Sequence, residues 1–152
     1  MKTARLPNLI CPGAEKAGTT SLYSILLQHS EIFDPGIKEP MFFNRYFDKG
    51  LRVYEKLYSK CREEIYIPDF TVLYMTHEIY VQRILETLGT DIRIIIMLRN
   101  PVDRFFSHYH MNKKNGSEME EDISVVFNRD RTKFMKNADD SGYFSHGLYS
   151  RQ

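Results

Sequence analysis

Residues 13–21 read Gly-Ala-Glu-Lys-Ala-Gly-Thr-Thr-Ser, a glycine-framed loop with one lysine and a closing run of hydroxyls. Glycines let backbone N–H groups converge on an anion, and a helix that starts there adds the positive end of its dipole. The interval from Gly13 to Gly18 equals that of the phosphate loop Gly-x-x-x-x-Gly-Lys-Ser/Thr, but Thr19 stands where that pattern has its lysine. The lysine sits inside the loop instead, as Lys16. An ordinary glycine turn with a solvent-facing lysine is the plain alternative. A second group of candidates argues against it: Arg99 follows an apolar run, and Ser107 lies two turns into the helix that comes next. A nucleoside triphosphatase needs an acid at a strand end to hold magnesium, whereas here the position is Arg99. The pattern favours a phosphate ligand held by cationic groups without a metal.

These residues need strand tips to hold them. Asn8 to Pro12 is a short apolar run, and Leu22, Ile25 and Leu26 recur at helical spacing over Thr19 to Gln28, which predicts strand, loop and helix. Ile32 to Phe47, broken by Asp34-Pro35-Gly36 and Pro40, reads as a loop carrying Met41-Phe42-Phe43. Leu51, Tyr54, Leu57 and Tyr58 predict a helix from Gly50 to Cys61, and Glu64 to Phe70 a short strand. Glu78 to Leu88 is amphipathic and closes on Gly89. Ile92 to Leu98 is the most apolar run, the composition of a strand buried on both faces at the centre of a parallel sheet. Asn100-Pro101 then starts a helix to Lys114, with Asn as N-cap and Pro at its first position. Glu118 to Asp122 reads as a solvated acidic run before a helix over Ile123 to Lys136, whose Arg129, Arg131, Lys133 and Lys136 read as a solvated face. Strands alternating with helices imply an α/β fold, and ligands in such sheets lie at the carboxyl ends of the strands, where both candidate groups fall.

Composition narrows the rest. The chain has 152 residues, 42% of them hydrophobic, which suits one globular domain. With 21 Lys+Arg against 20 Asp+Glu the formal charge is +1, so there is no broad basic footprint and no nucleic-acid partner is expected. Two cysteines, Cys11 and Cys61, stand far apart without a Cys-x-x-Cys and read as free buried thiols. The basic N-terminus Met1-Lys2-Thr3-Ala4-Arg5 is followed by a proline-broken run too short for a signal segment. No run approaches the ~18 apolar residues of a spanning helix.

Gly13-x-x-Lys16-x-Gly18-Thr19-Thr20-Ser21-Leu22 resembles the 5′-phosphosulfate loop of sulfotransferases that use 3′-phosphoadenosine 5′-phosphosulfate (PAPS). Ile95-Ile96-Met97-Leu98-Arg99-Asn100-Pro101-Val102-Asp103-Arg104 through Ser107-His108-Tyr109 resembles their 3′-phosphate strand and helix. Lys38-Glu39-Pro40-Met41-Phe42-Phe43-Asn44, with Lys49-Gly50-Leu51 and Tyr54, is similar to the heparan sulfate branch and its bacterial relatives. The resemblance implies a P-loop-like three-layer fold, a central parallel sheet flanked by helices, of which residues 1–152 would be the N-terminal, cofactor-binding part. It implies that Lys16 contacts the 5′-phosphate and the bridging oxygen to sulfur, that Ala17, Gly18, Thr19, Thr20 and Ser21 line the 5′-phosphate, and that Arg99 and Ser107 hold the 3′-phosphate. Glu39 matches the general base, and Lys38 and Phe42 fall where an acceptor would bind, although core packing suits Phe42-Phe43 better. His108 and His110 are alternative bases, with a structural role favoured, and His77 reads as a helix-start residue.

The expected reaction is sulfuryl transfer from PAPS to a hydroxyl or amine of a carbohydrate acceptor, with no metal required. One departure bears on the acceptor: relatives carry a lysine where this chain has Tyr66, which brings no positive charge to an anionic polysaccharide. A small alcohol, a lipid-linked sugar or a secondary metabolite is the alternative acceptor, and an inactive adenosine-bisphosphate-binding module the non-enzymatic one. The resemblance places a bacterial protein in the cytoplasm and a trimmed eukaryotic type II enzyme in the Golgi lumen. Members of the family continue past the segment resembling Ser141-Gly142-Tyr143-Phe144 to Leu148-Tyr149, so the chain is expected to be part of a larger domain.

Overall fold

The computed structural model describes residues 5–137 and 142–149, so the expectations placed on Met1 to Ala4, Ser141 and Ser150 to Gln152 lie outside the described residues. In chain order the main elements are β1 (Leu9–Gly13), α1 (Thr19–Leu26), α2 (Leu51–Leu57), β2 (Pro68–Asp69), α3 (Glu78–Leu88), β3 (Arg93–Ile96), α4 (Pro101–Lys114) and α5 (Ile123–Asn137). They fall into two compact units, one of Met1–Ala14 with Gly18–Met97, the other of Glu15–Ala17 with Leu98–Gln152.

The first unit holds a parallel sheet in the order β2-β1-β3, with Ile10 opposite both Asp69 and Ile94. Side chains alternate across a strand, and β1 uses both of its faces. Leu9 and Cys11 pack with Tyr23 of α1 and with Phe70, while Ile10 packs with Phe42, Phe43, Tyr54, Tyr58, Tyr74 and Ile84 on the side of α2 and α3. Helices thus cover both faces of the sheet, as expected. Phe42 is 2% exposed and stacks on Tyr54 at 4.4 Å between ring centroids. The ring offered as an acceptor contact is therefore a core ring.

The centre of the sheet is β1, which corrects the reading of Ile92 to Leu98. Among the described residues β3 is an edge strand, in which Ile94 and Ile96 are 57% and 55% exposed. Only Ile92 and Ile95 of the run pack against the unit's core clusters. An unbroken apolar run shows that a strand could be buried on both faces, and carries no information on how many of them have a neighbour. The proposed loop to Phe47 is also corrected, because Phe42–Tyr46 forms a π-helical turn and Phe47–Lys49 a 3₁₀ turn. α2 ends at Leu57, ahead of Cys61, and β2 is only Pro68–Asp69, preceded by an Ile32–Tyr66 bridge. Both cysteines are free, Cys11 buried and Cys61 partly so.

A buried carboxylate organises the first unit. Asp69, with no exposed surface, accepts hydrogen bonds from Tyr54 Oη (2.7 Å) and Tyr74 Oη (3.0 Å) on one oxygen. Its other oxygen accepts from Thr71 N–H (3.0 Å) and Thr71 Oγ1 (2.7 Å). Two of these donors accept in turn from the loop after Glu39: Met41 N–H donates to Thr71 Oγ1, and Phe43 N–H to Tyr74 Oη. Phe70 N–H donates to the Lys38 carbonyl at 3.1 Å, so the Lys38–Phe43 segment is clipped at three points. Burial outweighs these bonds and pushes the Asp69 carboxyl up to about 6.

In the second unit α4 begins as read, with the Asn100 side chain accepting from Val102 and Asp103 N–H and Pro101 in the first turn. Phe105, Tyr109, Val126 and Tyr143 form the core. The acidic run is not wholly solvated, because Glu118 is 7% exposed and pairs with Arg129 at 2.5 Å. Its neighbours Glu120 and Glu121 offer their carbonyls to Tyr109 Oη, which fixes the turn into α5. Arg129 stays on the exposed face read for α5, its side chain 54% exposed, and reaches from there to Glu118, because a carboxylate taken out of water needs a cation beside it.

Candidate active site

In the first unit the anion loop ends on Gly18, whose φ of +94° makes it the left-handed N-cap of α1. No side chain caps the helix. Leu22 N–H donates to the Gly18 carbonyl at 3.2 Å, and helix geometry leaves the amides of Gly18, Thr19, Thr20 and Ser21 without intrahelical acceptors. An uncapped helix start with several unpaired amides is what an anionic phosphate group requires, so the chain fits a phosphate-bearing cofactor here. A Cβ on Gly18 would meet Met97 Cε at 3.6 Å, an ordinary contact. The cost of Gly18→Ala is therefore conformational, and we expect a loss of about 1–2 kcal/mol in the urea unfolding free energy.

Thr19 is 4% exposed, and its Oγ1 accepts from Lys38 Nζ at 3.0 Å. The same ammonium lies 2.8 Å from Glu39 Oε1. Lys38 therefore ties the proposed base to the first residue of α1, a link that sequence order alone did not show. Thr20 and Ser21 are exposed on the first turn.

In the second unit the backbone of Lys16 adopts φ +66°, a left-handed conformation uncommon for a residue with a Cβ. Arg99 Nη1 donates to the Lys16 carbonyl at 3.3 Å, and Arg99 N–H to Tyr149 Oη at 3.4 Å. Two of the proposed phosphate-binding residues are thus joined directly. Lys16 Nζ lies 3.3 Å from Met111 Sδ on α4, a weak acceptor for an ammonium. Ala17 and Ser107 are half-buried, Ser107 on α4 seven residues past its Asn100 N-cap.

Around Lys16 the structure joins two residues of the quoted motif, Arg104 and His108, to two that the motif reading missed, Glu15 and His146. Arg104 has no exposed surface, donates through Nη2 to the Tyr143 carbonyl, and places Nη1 3.3 Å from His108 Nδ1. His108 and His146 both face Glu15. Burial pushes the His108 imidazole down to about 4, so it is neutral near pH 7. Burial would raise the Glu15 carboxyl, but the two imidazoles hold it below the usual range. The available signal was Glu15 itself, an acid inside a loop built for anions. His108 has a structural setting, as read, and His110 and His77 are exposed.

The chain belongs to the sulfotransferase domain family, whose pattern matches residues 6–150. A membrane-associated sulfotransferase, kil1, of Dictyostelium discoideum is 34% identical over 110 residues, which is 70% of this chain and 23% of that protein. The mouse heparan sulfate glucosamine 3-O-sulfotransferase 6 is 31% identical over 105 residues, 69% of this chain and 30% of that protein. A crystal structure of a sulfotransferase from Alicyclobacillus acidocaldarius superposes with a TM-score of 0.82 and 29% identity, covering 96% of this chain and 66% of the other. The matched stretches thus span less than a third of these two curated relatives. The resemblance to the heparan sulfate branch is borne out. No helix among the described residues is long and apolar enough to cross a membrane.

Proposed function

We propose that the chain carries the donor-binding part of a PAPS-dependent sulfotransferase acting on a hydroxyl or amine of a carbohydrate. The observation that carries this reading is the uncapped, left-handed start of α1 at Gly18, two residues after a lysine whose carbonyl is held by Arg99. PAPS, when bound, supplies the activated sulfuryl group and leaves as adenosine 3′,5′-bisphosphate. The amides of Gly18 to Ser21, with the hydroxyls of Thr19 and Thr20, hold the 5′-phosphate, and Ala17 lines it. Lys16 places its ammonium on the bridging oxygen, where negative charge grows as the leaving phosphate departs. Arg99 and Ser107 hold the 3′-phosphate. Glu39 takes the proton from the acceptor, and Lys38, tied to both Glu39 and Thr19, fixes the carboxylate's position relative to α1.

A smaller or less charged acceptor is the second reading, favoured by Tyr66 in the place of a lysine. Arg93 lies over that ring at 5.4 Å, so that cation is already engaged there. Glu39→Gln tests the assignment. Transfer from labelled PAPS is expected to fall ~10²–10⁴-fold while calorimetric affinity for adenosine 3′,5′-bisphosphate holds. A parallel fall in both would make Glu39 a binding residue, and a panel of polysaccharide and small-alcohol acceptors decides between the two readings.

A further inference from the structure

Glu15, His108 and His146 point three donor atoms at one another within the second unit. Glu15 Oε2 lies 3.6 Å from His108 Nε2 and 3.5 Å from His146 Nδ1, and the three atoms are all within 4.8 Å of one another. These separations are long for N–H···O hydrogen bonds, which cluster near 2.9–3.0 Å. They are the spacing of neighbouring donors about a shared centre: nitrogen and oxygen ligands about 2.0–2.1 Å from a tetrahedral ion stand roughly 3.3 Å apart. The hydrogen bonding of one of these three atoms points the same way. His146 Nδ1 is buried and has no hydrogen-bond partner among the described residues, a cost that a buried polar atom bears only where something else satisfies it. The side chains are 24%, 11% and 14% exposed for Glu15, His108 and His146, so water satisfies little of the cluster.

We propose that Glu15, His108 and His146 form a binding site for a divalent transition metal of the zinc class, with two imidazoles and one carboxylate as ligands. Imidazole nitrogen suits zinc, cobalt or nickel, whereas magnesium and calcium prefer oxygen ligands throughout. Three protein ligands leave a fourth position for water or an anion.

Arg104 sets how tightly such an ion is held. An ion on His108 Nε2 places the ring proton on Nδ1, opposite Arg104 Nη1 at 3.3 Å, where metal-bound histidines usually find a carbonyl or carboxylate. The guanidinium must give up that contact while keeping the Tyr143 carbonyl; its Nε has no partner among the described residues and so loses none. The charges of Arg104 and Lys16 also oppose a cation. The site therefore fills and empties with metal concentration. Because Glu15 directly precedes Lys16, occupancy changes the charge beside the loop's lysine.

Metal binding needs no sulfuryl donor, so the test is independent of the proposed activity. The protein, stripped by dialysis against a chelator, is titrated with Co²⁺ alone and then with Zn²⁺, without nucleotide. One equivalent of Co²⁺ should bind with the visible absorption of a tetrahedral nitrogen and oxygen site, Zn²⁺ should displace it, and Mg²⁺ should do nothing. Glu15→Gln and His146→Ala should each weaken binding by more than the ~10–100-fold that loss of an outer-shell partner costs. Circular dichroism confirms that both variants fold, and His146→Gln is the fallback if the alanine variant does not. Absence of saturable one-to-one binding overturns the proposal. So does unchanged affinity in the folded variants, which would place the ion on the exposed His29, His77 or His110.

Discussion

Replacing Lys16 with alanine is expected to lower sulfuryl transfer by roughly 10²–10³-fold, the usual consequence of removing one group aimed at developing negative charge. Folding should be unaffected. Among the described residues the Lys16 ammonium donates to a thioether sulfur, a weak acceptor, and alanine at φ +66° bears the same backbone strain as lysine. Lys16→Arg restores the charge on a longer, planar group and should recover part of the rate. Single-turnover measurements with labelled donor, beside a thermal melt, check both points. Unchanged turnover in a folded Lys16→Ala variant would remove the lysine from the mechanism.

The largest effect on stability is expected at Asp69. Asp69→Ala leaves the hydroxyls of Tyr54, Tyr74 and Thr71 without their acceptor, and all three residues are fully buried. At about 1–3 kcal/mol for each unsatisfied group, less what relaxation recovers, the loss should be about 3–5 kcal/mol in a urea titration. That is a large fraction of the stability of an ordinary domain. The pH dependence carries a definite sign. The folded carboxyl titrates at about 6 against an ordinary 3.8, so the folded state binds the proton more tightly. The group's favourable contribution is complete below the unfolded value and disappears as pH rises through 6. Relative to Asp69→Asn, the parent should gain about 2.5 kcal/mol between pH 7 and pH 3.8; equal slopes would show that Asp69 does not titrate in that window.

The features legible in the sequence were those with local causes. α3 was bounded correctly because Ile79, Ile84, Leu85 and Leu88 repeat at helical spacing and Gly89, at φ +77°, ends the helix. The start of α4 was legible because Asn100-Pro101 is a local stop-and-start signal. Gly18 and Lys16 were marked by the loop pattern, and both took left-handed conformations. What pattern could not reach depends on distant neighbours. Ile94 and Ile96 look like centre-strand residues, and among the described residues they lie on the edge strand of the sheet. Asp69 falls inside the strand read over Glu64 to Phe70, and its buried role stays hidden there because its donors lie at positions 54, 71 and 74. The Lys38–Thr19 bond spans 19 residues, and Glu15 with His108 spans 93, intervals on which no periodicity bears.

Cys11 gives the first unit an intrinsic reporter. Its sulfur lies in the central strand with no exposed surface, and burial pushes the thiol up to about 11, so the native strand presents no thiolate to an alkylating reagent. Cys61, partly exposed beyond α2, is the thiol a reagent reaches first. Timed alkylation followed by peptide mass analysis thus separates two clocks in one chain. The label on Cys61 records simple access, and the label on Cys11 records how often the strand that leads into the anion loop comes apart.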